Sequence, residues 1–214
     1  MGADIIRIED CLGLDFWEFG CRWADPDGRI ARNTAPHVYF EDEPQTPFVI
    51  CLKHEPSAIH PETTACRFLV ECEPDDAQPL GTSRCGIYAT RPAACRCFPG
   101  KLSDSRELVV LSDLSQISPR GENPIYELCP RPWSPDDVDS IQLTQDLVVL
   151  QHELDFFRRV ATFWNAAPRA WELFPEFLRS VYRRRVAAER PQDGDHDVAT
   201  IPFPQTAQVD ALAA

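Results

Sequence analysis

The sequence predicts an α+β protein: a small, irregular, cysteine-rich core of short strands, closed by two C-terminal amphipathic helices. Three observations lead there. Apolar runs in the first 130 residues stay at strand length, as in Phe48-Val-Ile-Cys-Leu-Lys-His54 and Glu107 to Leu114. Proline occurs 20 times among 214 residues against nine glycines, nearly double its usual share of about 5%, so rigid turns separate those runs. After Ser134 the pattern changes to apolar residues recurring at steps of three and four, the spacing of a helix with one buried face.

Taken in order, residues 1–21 carry acidic side chains at positions 4, 9, 10, 15 and 18 and no apolar run behind a basic start, which argues against a secretory leader. Position 6 is Ile, where a myristoylation signal needs Ser or Thr. Residues 22–47 hold turn signals at Asp25-Pro-Asp-Gly28, Ala35-Pro36 and Glu43-Pro44 and read as loop with short extended pieces. Residues 48–54 form a strand, Cys85 to Ala89 a short strand or helical turn, and residues 107–114 the best strand of the chain. Ser134-Pro-Asp-Asp137 starts a helix, with Ser134 as its cap, Pro135 in the first turn and two carboxylates at the positive end of the dipole. Leu143, Leu147, Leu150, Leu154, Phe157, Ala161 and Trp164 form its buried stripe, and it ends near Asn165, ahead of Pro168. A second helix follows Pro175 and buries Phe177, Leu178, Val181 and Tyr182; Arg183 to Arg185 and Arg190 read as its solvated end. Residues 1–190 therefore read as one domain. Residues 191–214, with four Asp, no Lys or Arg and three prolines, read as a disordered tail.

The charge count of 21 basic against 34 acidic residues gives a net −13. Phosphate backbones and anionic lipid repel such a chain, so nucleic acid and membrane are not expected partners. No window approaches 18 uninterrupted apolar residues, which leaves no spanning segment. The expected location is the cytoplasm, where thiols stay reduced and clustered cysteines serve as metal ligands or redox groups more often than as disulfides.

Nine cysteines are present, and six of them (51, 66, 72, 85, 95, 97) fall within 47 residues. Thiolates are soft donors for zinc, copper(I) and iron–sulfur centres. A single cysteine is more often a small hydrophobe, but six in so short and proline-rich a stretch favour ligands. Spacing does not identify the metal, because there is no C-x2-C pair and no ferredoxin-type run. A lone C-x-C cannot readily place both sulfurs on one ion, which leaves either Cys95 or Cys97 as the expected ligand, with Cys95 preferred. Cys51 with His54 and His60 offers a mixed alternative for zinc, although both histidines read more simply as polar loop residues.

Pro92 and Pro99 bracket the Cys95 segment with two rigid turns. Arg91 and Arg96 can neutralise a thiolate-rich centre or donate to its sulfurs, or pair with the excess carboxylates. Phe68, Ile87, Tyr88 and Phe98 are expected to form an apolar shell around it. No phosphate-cradling glycine motif and no nucleophile elbow occurs, and no cysteine is marked as a nucleophile by a neighbouring histidine.

The run Cys66-Arg-Phe-Leu69, then Cys85-Gly-Ile-Tyr88, then Arg91-Pro-Ala-Ala-Cys-Arg-Cys-Phe-Pro99 resembles the signature of the YkgJ-like cysteine-cluster family, the CxxCxxCC zinc- or iron-chelating domain. Cys129-Pro130 resembles that family's later Cys-Pro. The N-terminal namesake cluster is degenerate here, with only Cys11 and Cys21, which nine residues separate. The resemblance implies a zinc or iron–sulfur centre held by Cys66, Cys85, Cys95 and Cys129, with Cys21 as the extra ligand and Arg91, Arg96 and Tyr88 beside it. Its role would be structural, regulatory or redox. The resemblance also implies an enzymatic alternative, an iron–sulfur, S-adenosylmethionine-dependent lysine N-methylase of the flagellin type. The sequence names no catalytic residue and no protein partner.

Overall fold

The computed structural model describes residues 1–31, 35–77, 81–103, 109–111 and 133–189. The chain opens with helix α1 (Gly2–Leu12), which turns Ile5 and Ile8 inward and ends on Gly13. Gly13 adopts φ 65°, a left-handed conformation that glycine reaches without strain, and its N–H closes on the Glu9 carbonyl at 2.9 Å. One turn of helix, α2 (Phe16–Phe19), follows. Asp15 accepts from the Trp17 N–H, and the Glu18 side chain accepts from the Asp15 N–H at 2.7 Å, a reciprocal cap that buries Phe16 and Phe19 completely.

Strands β1 (Gly20–Ala24), β2 (Val38–Phe40) and β3 (Glu43–Leu52) form an antiparallel sheet in the order β1-β3-β2. The stretch expected as loop between 22 and 47 therefore holds most of two strands and the start of a third. Its prolines were the misleading signal. β1 pairs with β3 only over residues 48–52, so Pro47 lies where the ladder is ending and contributes just its carbonyl, to the Asp25 N–H at 2.8 Å. Pro44 falls in the part of β3 where the β2 register shifts. Neither position needs the N–H that proline lacks.

Three hairpins follow: β4 (His54–Pro56) with β5 (Thr64–Cys66), β6 (Leu69–Cys72) with β7 (Thr82–Cys85), and β8 (Gly100–Leu102) with β9 (Val109–Leu111). Between the second and third, Tyr88–Thr90 makes a 3-10 turn and Ala93–Cys97 the short helix α3. Of the strand expected over 107–114, residues 109–111 are extended and the rest lies outside the described residues.

The long helix α4 spans Ser140–Asn165. Its start is later than expected: Ser134 caps a separate 3-10 turn (Pro135–Asp137), and Asp139 caps α4 by accepting from the Ile141 and Gln142 N–H groups at 3.0 Å each. Its inward stripe is the expected one, with Leu143, Leu147, Leu154, Phe157, Ala161 and Trp164 buried and Leu150 partly so. Helix α5 (Phe174–Glu189) buries Phe174, Leu178 and Tyr182. Among the described residues, no helix is long and apolar enough to cross a membrane.

The main core joins α1, α2, the three-stranded sheet, α4 and α5 through Ile8, Phe16, Phe19, Val38, Phe40, Phe174 and Leu178. The C-terminal end of α4 also completes the free edge of β2. The Asn165 Oδ1 accepts from the Tyr39 N–H at 3.0 Å, the Asn165 Nδ2 donates to the His37 carbonyl at 2.9 Å, and the Trp164 Nε1 donates to the Tyr39 carbonyl at 2.8 Å. A helix end thus does the work of a fourth strand. Arg185 does not behave as part of a solvated helix end, because it holds Glu153 of α4 through two bonds of 2.8 and 3.0 Å. Arg190 and the tail from 191 lie outside the described residues.

Candidate metal centre

The hairpins explain how two of the expected ligands meet. Cys66 closes β5, and only Arg67 and Phe68 separate it from β6, whose first residue Leu69 stands opposite Cys85 at the end of β7. The Arg67 N–H donates to the Lys53 carbonyl at 3.0 Å and the Gly86 N–H to the Phe68 carbonyl at 2.7 Å, which fixes the joint between the hairpins. A Cβ at Gly86 would come within 3.1 Å of that carbonyl, so the residue after Cys85 has little room for a side chain. Cys66 and Cys85 therefore sit at one end of two adjoining ladders.

Cys95 arrives on α3, and α3 is held from an unexpected direction. Asp4 of α1, 4% exposed, accepts from the Ala93 N–H at 3.0 Å and from Arg7 at 2.6 Å, and the N-terminal ammonium lies 3.1 Å from its other oxygen. Arg7 in turn donates to the Arg91 carbonyl at 2.8 Å. The first helix thus satisfies the free N-terminal donor of α3 and pins the turn before it. Burial works against charge on Asp4, but the ammonium, the Ala93 N–H and Arg7 outweigh it and hold its carboxyl below the ordinary value. Nothing in the spacing of the cysteines pointed to Asp4. The only trace in the sequence is an acidic residue beside the apolar positions Ile5, Ile6 and Ile8.

Burial raises the Cys66 thiol, and Cys85 raises it further; burial raises the Cys95 thiol, and Cys66, Cys85 and Asp4 add to this while Arg91 opposes it. Cys66 and Cys85 are half-buried and Cys95 is the exposed member. Even so, among the described residues no three His, Cys, Asp or Glu side chains form a group that could hold a metal ion. Cys129, the fourth expected ligand, lies outside the described residues.

The other candidates are dispersed. Cys97 is 1% exposed and packs with Leu143 and Leu147 against α4, where burial pushes its thiol up to about 11. Neighbours two apart on a helix face nearly opposite ways, and the C-x-C pair divides accordingly between surface and core. Cys21 stands opposite Cys51 in the β1–β3 ladder, and its thiol is influenced by Trp23 and Lys53 but not by Cys66, Cys85 or Cys95. Cys11 and Cys72 are exposed. His54 packs its ring against Trp23 at 5.1 Å, and the His60 N–H donates to the Ser57 hydroxyl at 2.9 Å.

Arg91 stacks on Tyr88, with its guanidinium carbon 4.0 Å from the ring centroid. Among the described residues Arg91 has no carboxylate partner, which is unusual in a chain with 34 acidic side chains. Arg96 differs, since it lies 3.6 Å from Asp146 of α4. The expected apolar shell is half present: Ile87 is buried and Phe68 packs on the core, but Tyr88 is 67% and Phe98 49% exposed. Phe98 turns outward to meet Trp133 edge-on at 5.8 Å, so the two outer aromatics do not screen the thiols.

In comparisons with protein-family models, curated proteins and solved structures, nothing matches this chain.

Proposed function

We propose that the chain is a metal-binding protein whose centre, zinc or an iron–sulfur cluster, is held by Cys66, Cys85 and Cys95, with Cys129 as the fourth ligand. One observation carries this reading. Cys66 and Cys85 end two adjoining hairpin ladders, the short helix that carries Cys95 is anchored by Asp4, and Arg91, four residues before Cys95, is a guanidinium with no carboxylate partner among the described residues. The donor set suits a soft or borderline cation, because thiolates bind zinc and iron–sulfur centres and bring the negative charge that a neighbouring Arg offsets. A bound centre would supply a cross-link between the β5–β6 joint, the end of β7 and helix α3. In return, the chain holds Cys95 in place through the Asp4–Ala93 bond. Resemblance to the YkgJ-like signature supports the same four cysteines.

Anaerobic purification followed by metal analysis and a visible spectrum tests the reading. Stoichiometric zinc without visible absorption selects zinc, and stoichiometric iron and sulfide with visible charge-transfer bands selects the cluster. Absence of any metal, together with unaltered stability in Cys85→Ser, overturns the proposal.

A further inference from the structure

A second pair of cysteines lies apart from this centre. Cys21 of β1 and Cys51 of β3 are direct cross-strand partners, both half-buried. Side chains directly opposite in an antiparallel ladder point to the same face of the sheet. The Cys21 Sγ reaches over its partner's backbone, 3.6 Å from the Cys51 carbonyl oxygen.

The flanking hydrogen bonds identify the kind of pair. The Lys53 N–H donates to the Phe19 carbonyl at 2.7 Å on one side, and the Asp25 N–H to the Pro47 carbonyl at 2.8 Å on the other. Both couples keep the Cys21–Cys51 register, the first two residues away and the second four, and ladder bonds recur every second residue, so Cys21 and Cys51 are themselves a hydrogen-bonded pair. Such pairs hold their Cα atoms about 5.5 Å apart, the wider of the two antiparallel spacings. Their Cβ atoms then lie near the upper end of the range of about 4.5–5.5 Å for opposed residues. A disulfide draws the Cβ atoms to about 3.5–4.5 Å. An ion between two sulfurs, with bonds of about 2.3 Å each, spans sulfurs up to about 4.6 Å apart and fits the wider spacing.

From this geometry we infer that Cys21 and Cys51 form a two-thiolate site for a single soft monovalent cation of the copper(I) type, separate from the Cys66, Cys85 and Cys95 centre. Among the described residues no third donor joins the two sulfurs, which suits an ion that is content with linear coordination, and thiolate softness selects copper(I) over harder cations. On binding, each thiol releases its proton, so two thiolates and one univalent cation leave a net charge of −1. Burial works against that charge and raises both thiols, Cys51 to about 11, so the cation must displace the protons; Trp23 and the Lys53 ammonium favour the thiolate at Cys21. Asp25, whose charge acts on Cys51, opposes it as well.

The test uses the full chain, reduced and kept anaerobic, titrated with copper(I) supplied as its bicinchoninate complex. Iodoacetamide alkylation of each cysteine is then followed by peptide mass spectrometry. The expected result is that Cys21 and Cys51 become protected together, within the same equivalent, with alkylation slowed roughly tenfold or more. Cys21→Ser and Cys51→Ser are each expected to bind one equivalent fewer, while Cys66→Ser retains the Cys21 and Cys51 protection. The inference is overturned if the two cysteines stay reactive at copper saturation or are protected in different equivalents. It is also overturned if diamide joins them in a disulfide in the folded wild-type chain. The footprint needs no variant to fold, and it reads the two sites at different cysteines, so either can fail alone.

Discussion

Removing the Asp4 carboxylate tests how the N-terminal helix supports the candidate centre. Asp4→Ala deletes an acceptor that is 4% exposed and bonded at once to the Ala93 N–H and to Arg7. Breaking a buried charged pair by removing one partner costs about 3–5 kcal/mol. Arg7 keeps a second acceptor, the Arg91 carbonyl at 2.8 Å, and part of its side chain reaches solvent, which places the expected loss near the lower end, about 3 kcal/mol. With a urea dependence of about 2 kcal/mol per molar, the unfolding midpoint should fall by about 1.5 M. Asp4→Asn keeps the shape and one acceptor and should lose about half as much. The pH dependence has a definite sign. The carboxyl of folded Asp4 lies below its ordinary value, so its contribution is complete above an unfolded value of about 4 and is lost as the pH falls further. The gap between wild type and Asp4→Asn should therefore be full at neutral pH and close under acid. Urea melts between about pH 2.5 and pH 7 measure both effects. A midpoint shift below about 0.3 M in Asp4→Ala, or a gap that does not narrow in acid, would refute the assignment of Asp4 as the support of α3.

Other outcomes follow from the same structure. Cys97→Ser places a hydroxyl among Leu143 and Leu147 and should cost about 1–3 kcal/mol while leaving the metal content unchanged; Cys95→Ser should lower the metal content and stability together, and metal analysis beside thermal melts separates them. Gly20→Ala would set a Cβ 2.3 Å from the fully buried Phe16 ring, and thermal unfolding should show a loss of about 1–3 kcal/mol or more. Asn165→Ala removes both bonds to the edge of β2, so hydrogen exchange at the Tyr39 amide should accelerate, with about 1–3 kcal/mol of destabilisation. Burial opposes charge on Asp25, but His37 and the Ile30 and Ala31 N–H groups bring its carboxyl down to about 2. Its contribution is present above about pH 4 and is lost toward pH 2. Melts of Asp25→Asn should therefore lie below wild type at neutral pH and converge with it near that acid limit.

Some elements were legible along the chain because their cause is local. The stripe from Leu143 to Trp164 is buried as its periodicity requires, and the helix stops at Asn165, ahead of Pro168. Residues 48–52 of β3 were legible as a strand, but β1, β2 and the start of β3 were hidden because turn residues are judged by local preference, whereas Pro44 and Pro47 are tolerated through where the neighbouring strands end and shift. Helix α1 was missed for a related reason. Eleven residues with an acidic residue on the buried side become stable only when Ile5 and Ile8 pack on α5 and the core and Asp4 finds Ala93.

For the cysteines the division is sharper. Sequence alone determined that soft sulfur donors are concentrated between residues 51 and 97 and that Cys95 and Cys97 do not readily share one ion; that the two lie on a helix, about half a turn apart, came from the structure. Tertiary structure decided the surroundings: Cys66 and Cys85 at the ends of adjoining ladders, Cys95 at the surface of α3, Cys21 opposite Cys51, and Cys97 among leucines of α4. Those choices depend on strand register and on the anchoring of α3 by α1. Both are contacts between segments tens of residues apart, set by which apolar faces can be buried together and not by the spacing of the cysteines themselves.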